Sequence, residues 1–254
     1  MYQKVDVPLV GSYHLAVDPF DVDFTGRLTI GQLGNHLLNA AGFHANERGF
    51  GISRLNEIDN TWVLSRVAIE FTELPREYQH FTVETWVEAV MRMFTCRNFR
   101  ILDQMGNPIG YARTIWAMIN RQSRKPVDLT TINDGRLSEW VVTGKECPIE
   151  PPSKIKVSVG EPCDTVRVKY SDIDINGHMN SCRYIEHILD VFSLRFYSEH
   201  RIRRFEIAYM AECLCDDELA IYKDETSPGL FEIEIRKTAN GEIACRGKIV
   251  VEAI

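Results

Sequence analysis

The chain has 254 residues, with 29 Lys+Arg against 36 Asp+Glu and a formal net charge of −7. Its 44% hydrophobic and 26% charged residues are an ordinary globular mix, which excludes collagen, coiled coil and disorder. The acidic balance argues against nucleic-acid binding, and no apolar run approaches the ~20 residues that a membrane span needs.

The opening stretch Met1-Tyr2-Gln3-Lys4-Val5-Asp6 has neither an apolar signal core nor an Arg/Ser-rich character, so the expected location is the cytoplasm. A strand is followed by the loop Asp21-Val22-Asp23-Phe24-Thr25-Gly26-Arg27-Leu28. Ile30, Leu33, Leu37, Ala41 and His44 then recur at helical spacing. Gly31, Gly34 and Gly42 are poor helix formers, so this helix is expected to pack closely against a neighbour. Val83, Thr85, Val87 and Ala89 alternate with Glu84, Trp86 and Glu88 as a strand. Gly106-Asn107-Pro108 marks a turn into Ala112–Ile119, an almost wholly apolar strand. Asn133-Asp134-Gly135 with Pro148, Pro151 and Pro152 reads as a linker.

Beyond it comes Asp172-Ile173-Asp174-Ile175-Asn176-Gly177-His178-Met179. Tyr184, Ile185, Ile188, Leu189, Phe192 and Phe196 form the stripe of a helix over about 180–197. Phe205, Ile207, Tyr209 and Ala211 share one face of a strand, and Asn240-Gly241 is a hairpin turn.

The two loops superpose in sequence at an offset of 151 residues, and the register continues from His36-Leu37-Leu38 onto His187-Ile188-Leu189. Such self-similarity indicates a duplicated unit. One helix and several antiparallel strands, repeated twice, make an α+β architecture. The expected division is 1–130, a linker at 131–155, and 156–254.

The candidate chemistry lies in the second copy. Asp174, Asn176 and His178 stand at i, i+2 and i+4, which puts all three on one side of an extended segment. His178 precedes a helix start, where the positive dipole end keeps an imidazole neutral and ready to accept a proton. The first copy puts Thr25 at the Asn176 position and Arg27 at the His178 position, so one catalytic site per chain is expected. A plain loop-to-helix cap is the competing reading. Glu212 and Cys213 end an apolar strand, where regular alternation lets only one of them face the site. The seven cysteines are odd in number, contain no Cys-x-x-Cys and read as free thiols; Cys213-x-Cys215 lacks the second pair of a zinc site. No Gly-x-Ser-x-Gly elbow is present.

Asp174-x-Asn176-x-His178-x-Asn180 with Tyr184-Ile185, and Glu212-Cys213 after the next strand, resemble the active-site motif of fatty acyl-ACP thioesterases. Thr61–Arg66, Glu84-Thr85-Trp86 and Ala112–Asn120 resemble the same family's N-terminal half, so the likeness runs from about Tyr13 to Val251. The resemblance implies a tandem hotdog fold, in which each half wraps an antiparallel sheet around a long helix. It implies hydrolysis of the thioester between a fatty acyl chain and the phosphopantetheine of acyl carrier protein, in fatty acid biosynthesis. An acyl-CoA thioesterase or a non-catalytic acyl-binding protein on the same fold is the alternative. No cofactor and no metal are implied, nor a nucleic-acid or membrane partner; the chain is expected as a monomer or homodimer. The family's plant members carry a transit peptide, which the opening residues do not resemble, and Ser181 replaces a second Asn.

In the implied mechanism Glu212 or His178 polarises a water, Asn176 and helix-start N–H groups hold the oxyanion, and Asp174 orients Asn176 or His178. The rival scheme makes Cys213 the nucleophile and His178 its base. Strand parity favours water. The acyl chain needs an apolar tunnel, for which the first half offers Leu33, Leu37, Trp62, Val87 and Trp116. Arg121, Arg124 and Lys125 form a basic cluster that reads either as a docking site for the carrier protein or as a solvated loop.

Overall fold

The computed structural model describes residues 7–158 and 160–254. The opening stretch Met1–Asp6, read above for targeting, lies outside them. The chain forms two compact units, the first containing Leu33–Leu64 and Glu73–Ile149 after the N-terminal segment, the second Ile30–Gln32, Ser65–Thr72 and Glu150–Ile254.

In the first unit β1 (Gly11–Ala16), β3 (His80–Val90), β4 (Thr95–Leu102) and β5 (Pro108–Asn120) pair antiparallel in the spatial order β1-β3-β4-β5. Helix α1 (Ile30–Glu47) carries the expected stripe, and Leu33, Leu37, Ala41 and His44 are all buried. His36 stands edge-on to Phe81 of β3 at 5.4 Å. A Cβ at Gly11 would lie 2.7 Å from the His44 ring, so glycine is what lets β1 approach the helix. The close packing expected of the α1 glycines holds at Gly31, whose Cβ would meet Glu186 at 3.0 Å. It does not hold at Gly42, where nothing lies within 4 Å. A short α2 (Ile52–Asn56) leads into β2 (Asn60–Phe71), whose first residues belong to this unit and whose later ones belong to the second.

The stretch expected as a linker is structured. Leu129–Trp140 is a 3-10 helix. Its Leu129, Ile132 and Leu137 are buried with Phe50, Leu55 and Met118. Cys147 and Ile149 cover Trp86 on the other face of β3. Turn residues and prolines mark this segment as irregular, but its scattered apolar residues still close the first unit.

In the second unit the order is β2-β7-β10-β9-β8-β6, with β6 (Asp164–Arg167), β7 (His200–Tyr209), β8 (Glu218–Ser227), β9 (Leu230–Lys237) and β10 (Ile243–Ala253). Asn240-Gly241 makes the β9–β10 turn as expected, with Gly241 at φ +71. Helix α3 (Ser181–Asp190) starts 151 residues after α1 and buries Tyr184, Ile185 and Ile188. A Cβ at Gly247 of β10 would lie 2.7 Å from Ile188, so this glycine seats the helix on the sheet. The single helix expected over 180–197 is two. The break falls at residues 191–193, where the Ser193 side chain caps a new helix α4 (Leu194–Glu199). Phe192 and Phe196 stack across the break at 4.5 Å, so the apolar stripe outlives the helix that the periodicity implies. Among the described residues no helix is long and apolar enough to cross a membrane.

Candidate functional site

The loop before α3 is a turn, not the extended segment expected from the i, i+2, i+4 spacing. The Asp174 carboxylate accepts the Asn176 backbone N–H at 2.7 Å, the Asp174 carbonyl accepts the Gly177 N–H at 3.0 Å, and Gly177 takes φ +78. This Asx-type turn is what aspartate followed by glycine favours. It closes with the Asp174 N–H donating to the His178 carbonyl at 2.8 Å, and Asn180 then caps α3 through the Cys182 N–H.

The first unit builds the same turn. Asp23 accepts the Thr25 N–H at 2.7 Å, its carbonyl accepts the Gly26 N–H at 2.9 Å, Gly26 takes φ +73, and the Asp23 N–H donates to the Arg27 carbonyl at 2.8 Å. Each loop carries a bridge at the matched pair, Val22–Leu28 and Ile173–Met179. The Leu28 N–H donates to the Pro75 carbonyl and the Met179 N–H to the Cys213 carbonyl, both at 2.8 Å. Pro75 therefore matches Cys213, and Leu74 matches Glu212. The duplicated backbone is intact while the side chains differ: His178, Asn176 and Glu212 become Arg27, Thr25 and Leu74 in the first unit.

In the second unit His178 Nε2 lies 3.4 Å from a Glu212 carboxylate oxygen, with both side chains partly exposed. Asn176 Nδ2 lies 3.4 Å from the second Asp174 oxygen. Asp174 therefore orients Asn176 through two contacts. An amide NH2 has two hydrogens, so Asn176 can offer one to a ligand. The Cys182 N–H at the helix start, an expected oxyanion donor, is occupied by Asn180 at 2.8 Å.

The parity argument about Glu212 and Cys213 does not apply, because β7 ends at Tyr209 and residues 210–217 are irregular. The structure still separates the two residues. Glu212 lies beside His178, whereas Cys213 is fully buried. Burial pushes the Cys213 thiol above its ordinary value, against a hydrogen bond from Tyr184 that lowers it. That environment disfavours a thiolate. The stripe reading treats Tyr184 as apolar. Its hydroxyl, 3.0 Å from the Cys213 N–H, is the polar group that reading misses.

Of the five acyl-chain candidates, Leu33, Leu37 and Val87 are buried. Trp62 and Trp116 are partly buried with their indole N–H groups satisfied, by the Phe50 carbonyl at 2.9 Å and the Thr114 hydroxyl at 2.8 Å. Trp62 packs on the Phe50–Leu55–Met118 cluster. A cleft of about 560 Å³ in this unit lies elsewhere, against the Asp23–Gly26 loop, Arg76 and Gln79, and contains none of the five. Arg121, Arg124 and Lys125 are exposed on the turn after β5.

Residues 11–132 match the family described as acyl-ACP thioesterase N-terminal domain, and residues 160–252 the acyl-ACP thioesterase C-terminal domain. A solved acyl-ACP thioesterase from Bacteroides thetaiotaomicron is 54% identical at a TM-score of 0.90, covering 96% of this chain and 98% of its own. The 12:0-ACP thioesterase from Umbellularia californica shares the fold at a TM-score of 0.82 and 19% identity, covering 98% of this chain and 99% of its own. The α+β tandem hotdog expected above is that fold. A chloroplastic oleoyl-acyl carrier protein thioesterase of Coriandrum sativum is 26% identical over 234 residues, 84% of this chain and 61% of that protein. With 59% and 54% of two further plant proteins covered, the chain spans a little over half the length of the curated relatives it matches.

Proposed function

Because the chain belongs to the acyl-ACP thioesterase family, we propose that it hydrolyses the thioester joining a fatty acyl chain to the phosphopantetheine arm of acyl carrier protein. The observation that carries this reading is the His178–Glu212 pair at 3.4 Å beside the Asp174-held Asn176, in a loop whose twin in the first unit lacks all three of His178, Glu212 and Asn176. A water gives its proton to the His178–Glu212 pair as its oxygen attacks the thioester carbonyl carbon. The Glu212 carboxylate stabilises the imidazolium that forms. Asn176 Nδ2 donates to the oxyanion. The tetrahedral intermediate then expels the pantetheine sulfur, which takes the proton from His178, leaving a fatty acid and a free thiol. Purified protein mixed with acyl-ACP is expected to release thiol and fatty acid in equal amounts; binding without release of either would end the reading.

Water attack, not attack by Cys213, is the scheme supported by the burial of the thiol. Cys213→Ser keeps the backbone N–H and a side-chain acceptor, so its turnover should stay within about threefold of the parent, whereas loss of a covalent nucleophile costs several orders of magnitude. Steady-state kcat of the folded variant decides between them.

We assign the acyl chain to the first unit, where the acid–base residues are gone and where the buried Leu33, Leu37 and Val87 and the partly buried Trp62 and Trp116 supply apolar side chains that must make room for it. Exchanging residues 1–149 between two family members of different chain-length preference should carry the preference along. Preference that stays with residues 156–254 would contradict the assignment.

A further inference from the structure

We propose that the Tyr184 hydroxyl is a positioning group for the reaction: it clamps the Glu212–Cys213 peptide to α3 and so sets Glu212 beside His178. The proposal rests on the reading of those two residues as the proton-handling pair.

The Cys213 backbone is held at both its N–H and its carbonyl. Its N–H donates to the Tyr184 hydroxyl oxygen at 3.0 Å, and its carbonyl accepts the Met179 N–H at 2.8 Å. Cys213 follows Glu212 directly, and Met179 follows His178 directly. The second bond ties the backbone just after Glu212 to the backbone just after His178, and the first fixes the Glu212–Cys213 peptide to a side chain of α3. Tyr184 can act as a fixed post because it is itself buried and constrained. Its ring meets that of Tyr209 edge-on at 5.6 Å, and the Tyr209 hydroxyl donates to the Ser181 carbonyl at 2.9 Å in the first turn of α3. Burial, and then the neighbouring Cys213 thiol, raise the Tyr184 hydroxyl well above its ordinary value, so it stays neutral and works by hydrogen bonding alone.

The first unit separates this clamp from the needs of the fold. There the Leu28 N–H still donates to the Pro75 carbonyl, and the next contacts also match. Tyr78 and Gln79 bond to Val17 as Asp216 and Asp217 bond to Val168. Yet the residue matched to Tyr184 is Leu33, and Pro75, matched to Cys213, has no N–H to donate. The loop keeps its form without the hydroxyl. Only where Glu212 and His178 are present do the tyrosine hydroxyl and its N–H partner occur together. A device needed for the backbone would recur in both copies; one that serves the reacting pair would occur once, as observed.

The test is a double-variant cycle on the full chain, with Tyr184→Phe, Glu212→Gln and both together, assayed for acyl-ACP hydrolysis. Tyr184→Phe keeps the ring packing. It should lower kcat by about 10- to 100-fold, the scale of a misplacement of about 1 Å, with KM within about twofold. Because the hydroxyl acts through Glu212, the double variant should be no slower than Glu212→Gln alone. Losses that multiply in the double variant, or a Tyr184→Phe enzyme with unchanged kcat, would overturn the proposal. A Tyr184→Phe chain that does not fold would overturn it as well, since the first unit dispenses with the hydroxyl. A parent enzyme that leaves acyl-ACP intact, or a Glu212→Gln variant with full activity, would instead overturn the underlying assignment of the pair, and the clamp with it.

Discussion

Replacing His178 by alanine is expected to cut turnover by about 10²- to 10⁴-fold, or roughly 3–5 kcal/mol of transition-state stabilisation, with the fold intact. The magnitude is that of one positioned proton-transfer group. His178 is the single imidazole in the loop, it stands 3.4 Å from Glu212, and its matched residue in the first unit is an arginine that cannot accept a proton. Its side chain is partly exposed, and its backbone carbonyl, not its ring, closes the Asp174 turn at 2.8 Å. Truncating the ring therefore leaves the loop's hydrogen bonds in place. Steady-state kinetics on acyl-ACP, with a melting curve as control, provide the measurement. A folded His178→Ala enzyme of parental kcat would remove the acid–base role altogether.

Glu206→Ala is expected to cost about 3–5 kcal/mol of stability, the usual penalty for deleting one partner of a buried ion pair. Glu206 on β7 is 1% exposed and gathers three hydrogen-bond donors and one further cation. They are the Ser153 N–H at 2.5 Å and hydroxyl at 2.8 Å, Arg204 Nε at 2.7 Å, and Lys248 Nζ at 3.7 Å. Removing the carboxylate strands the Ser153 N–H and takes the anionic partner from Lys248. Arg204 keeps its second partner, Glu70. At about 2–4 °C per kcal/mol for a chain of this size, the melting temperature should fall by roughly 10 °C.

The same group sets a pH dependence. Burial alone would raise its carboxyl, but the hydrogen bonds from Arg204 and Ser153 outweigh burial and hold it below the ordinary 4.5. Between the folded and unfolded values the unfolded chain binds the extra proton. The stabilisation is therefore complete above pH 4.5 and is lost as pH falls through the lower folded value. Glu206→Gln cannot titrate, so the stability gap between parent and variant should narrow as pH drops from 7 towards 3. Parallel stability curves over that range would show that the carboxylate is not held by these partners.

The duplication was legible because its loop is specified by residue type. Asp23 and Asp174 make the turn, Gly26 and Gly177 take the positive φ, and both recur at one offset. The α1 stripe was legible for the usual reason, that Leu33, Leu37 and Ala41 face a sheet. What periodicity hides is where an apolar stripe changes its backbone. Phe192 and Phe196 continue the α3 pattern, yet Ser193 between them caps a separate helix. Alternation likewise misleads at Glu212 and Cys213, because it presumes a strand that stops at Tyr209. Which of the two faces His178 is decided by long-range hydrogen bonds, from the Cys213 N–H to Tyr184 and from the Met179 N–H to Cys213, which no local pattern encodes. The segment 131–149 misleads in the opposite way. Its turn residues and prolines mark a stretch without α-helix or strand, but a 3-10 helix and the loop after it still bury Ile132, Leu137, Cys147 and Ile149.

The most direct test of the account is thiol release measured side by side from acyl-ACP and acyl-CoA, with the parent chain and with His178→Ala. The account predicts release from acyl-ACP by the parent, slower release from acyl-CoA at equal concentration, and both slowed by about 10²- to 10⁴-fold with the variant. Parent protein that cleaves only acyl-CoA, or that releases no thiol from either donor, would contradict it.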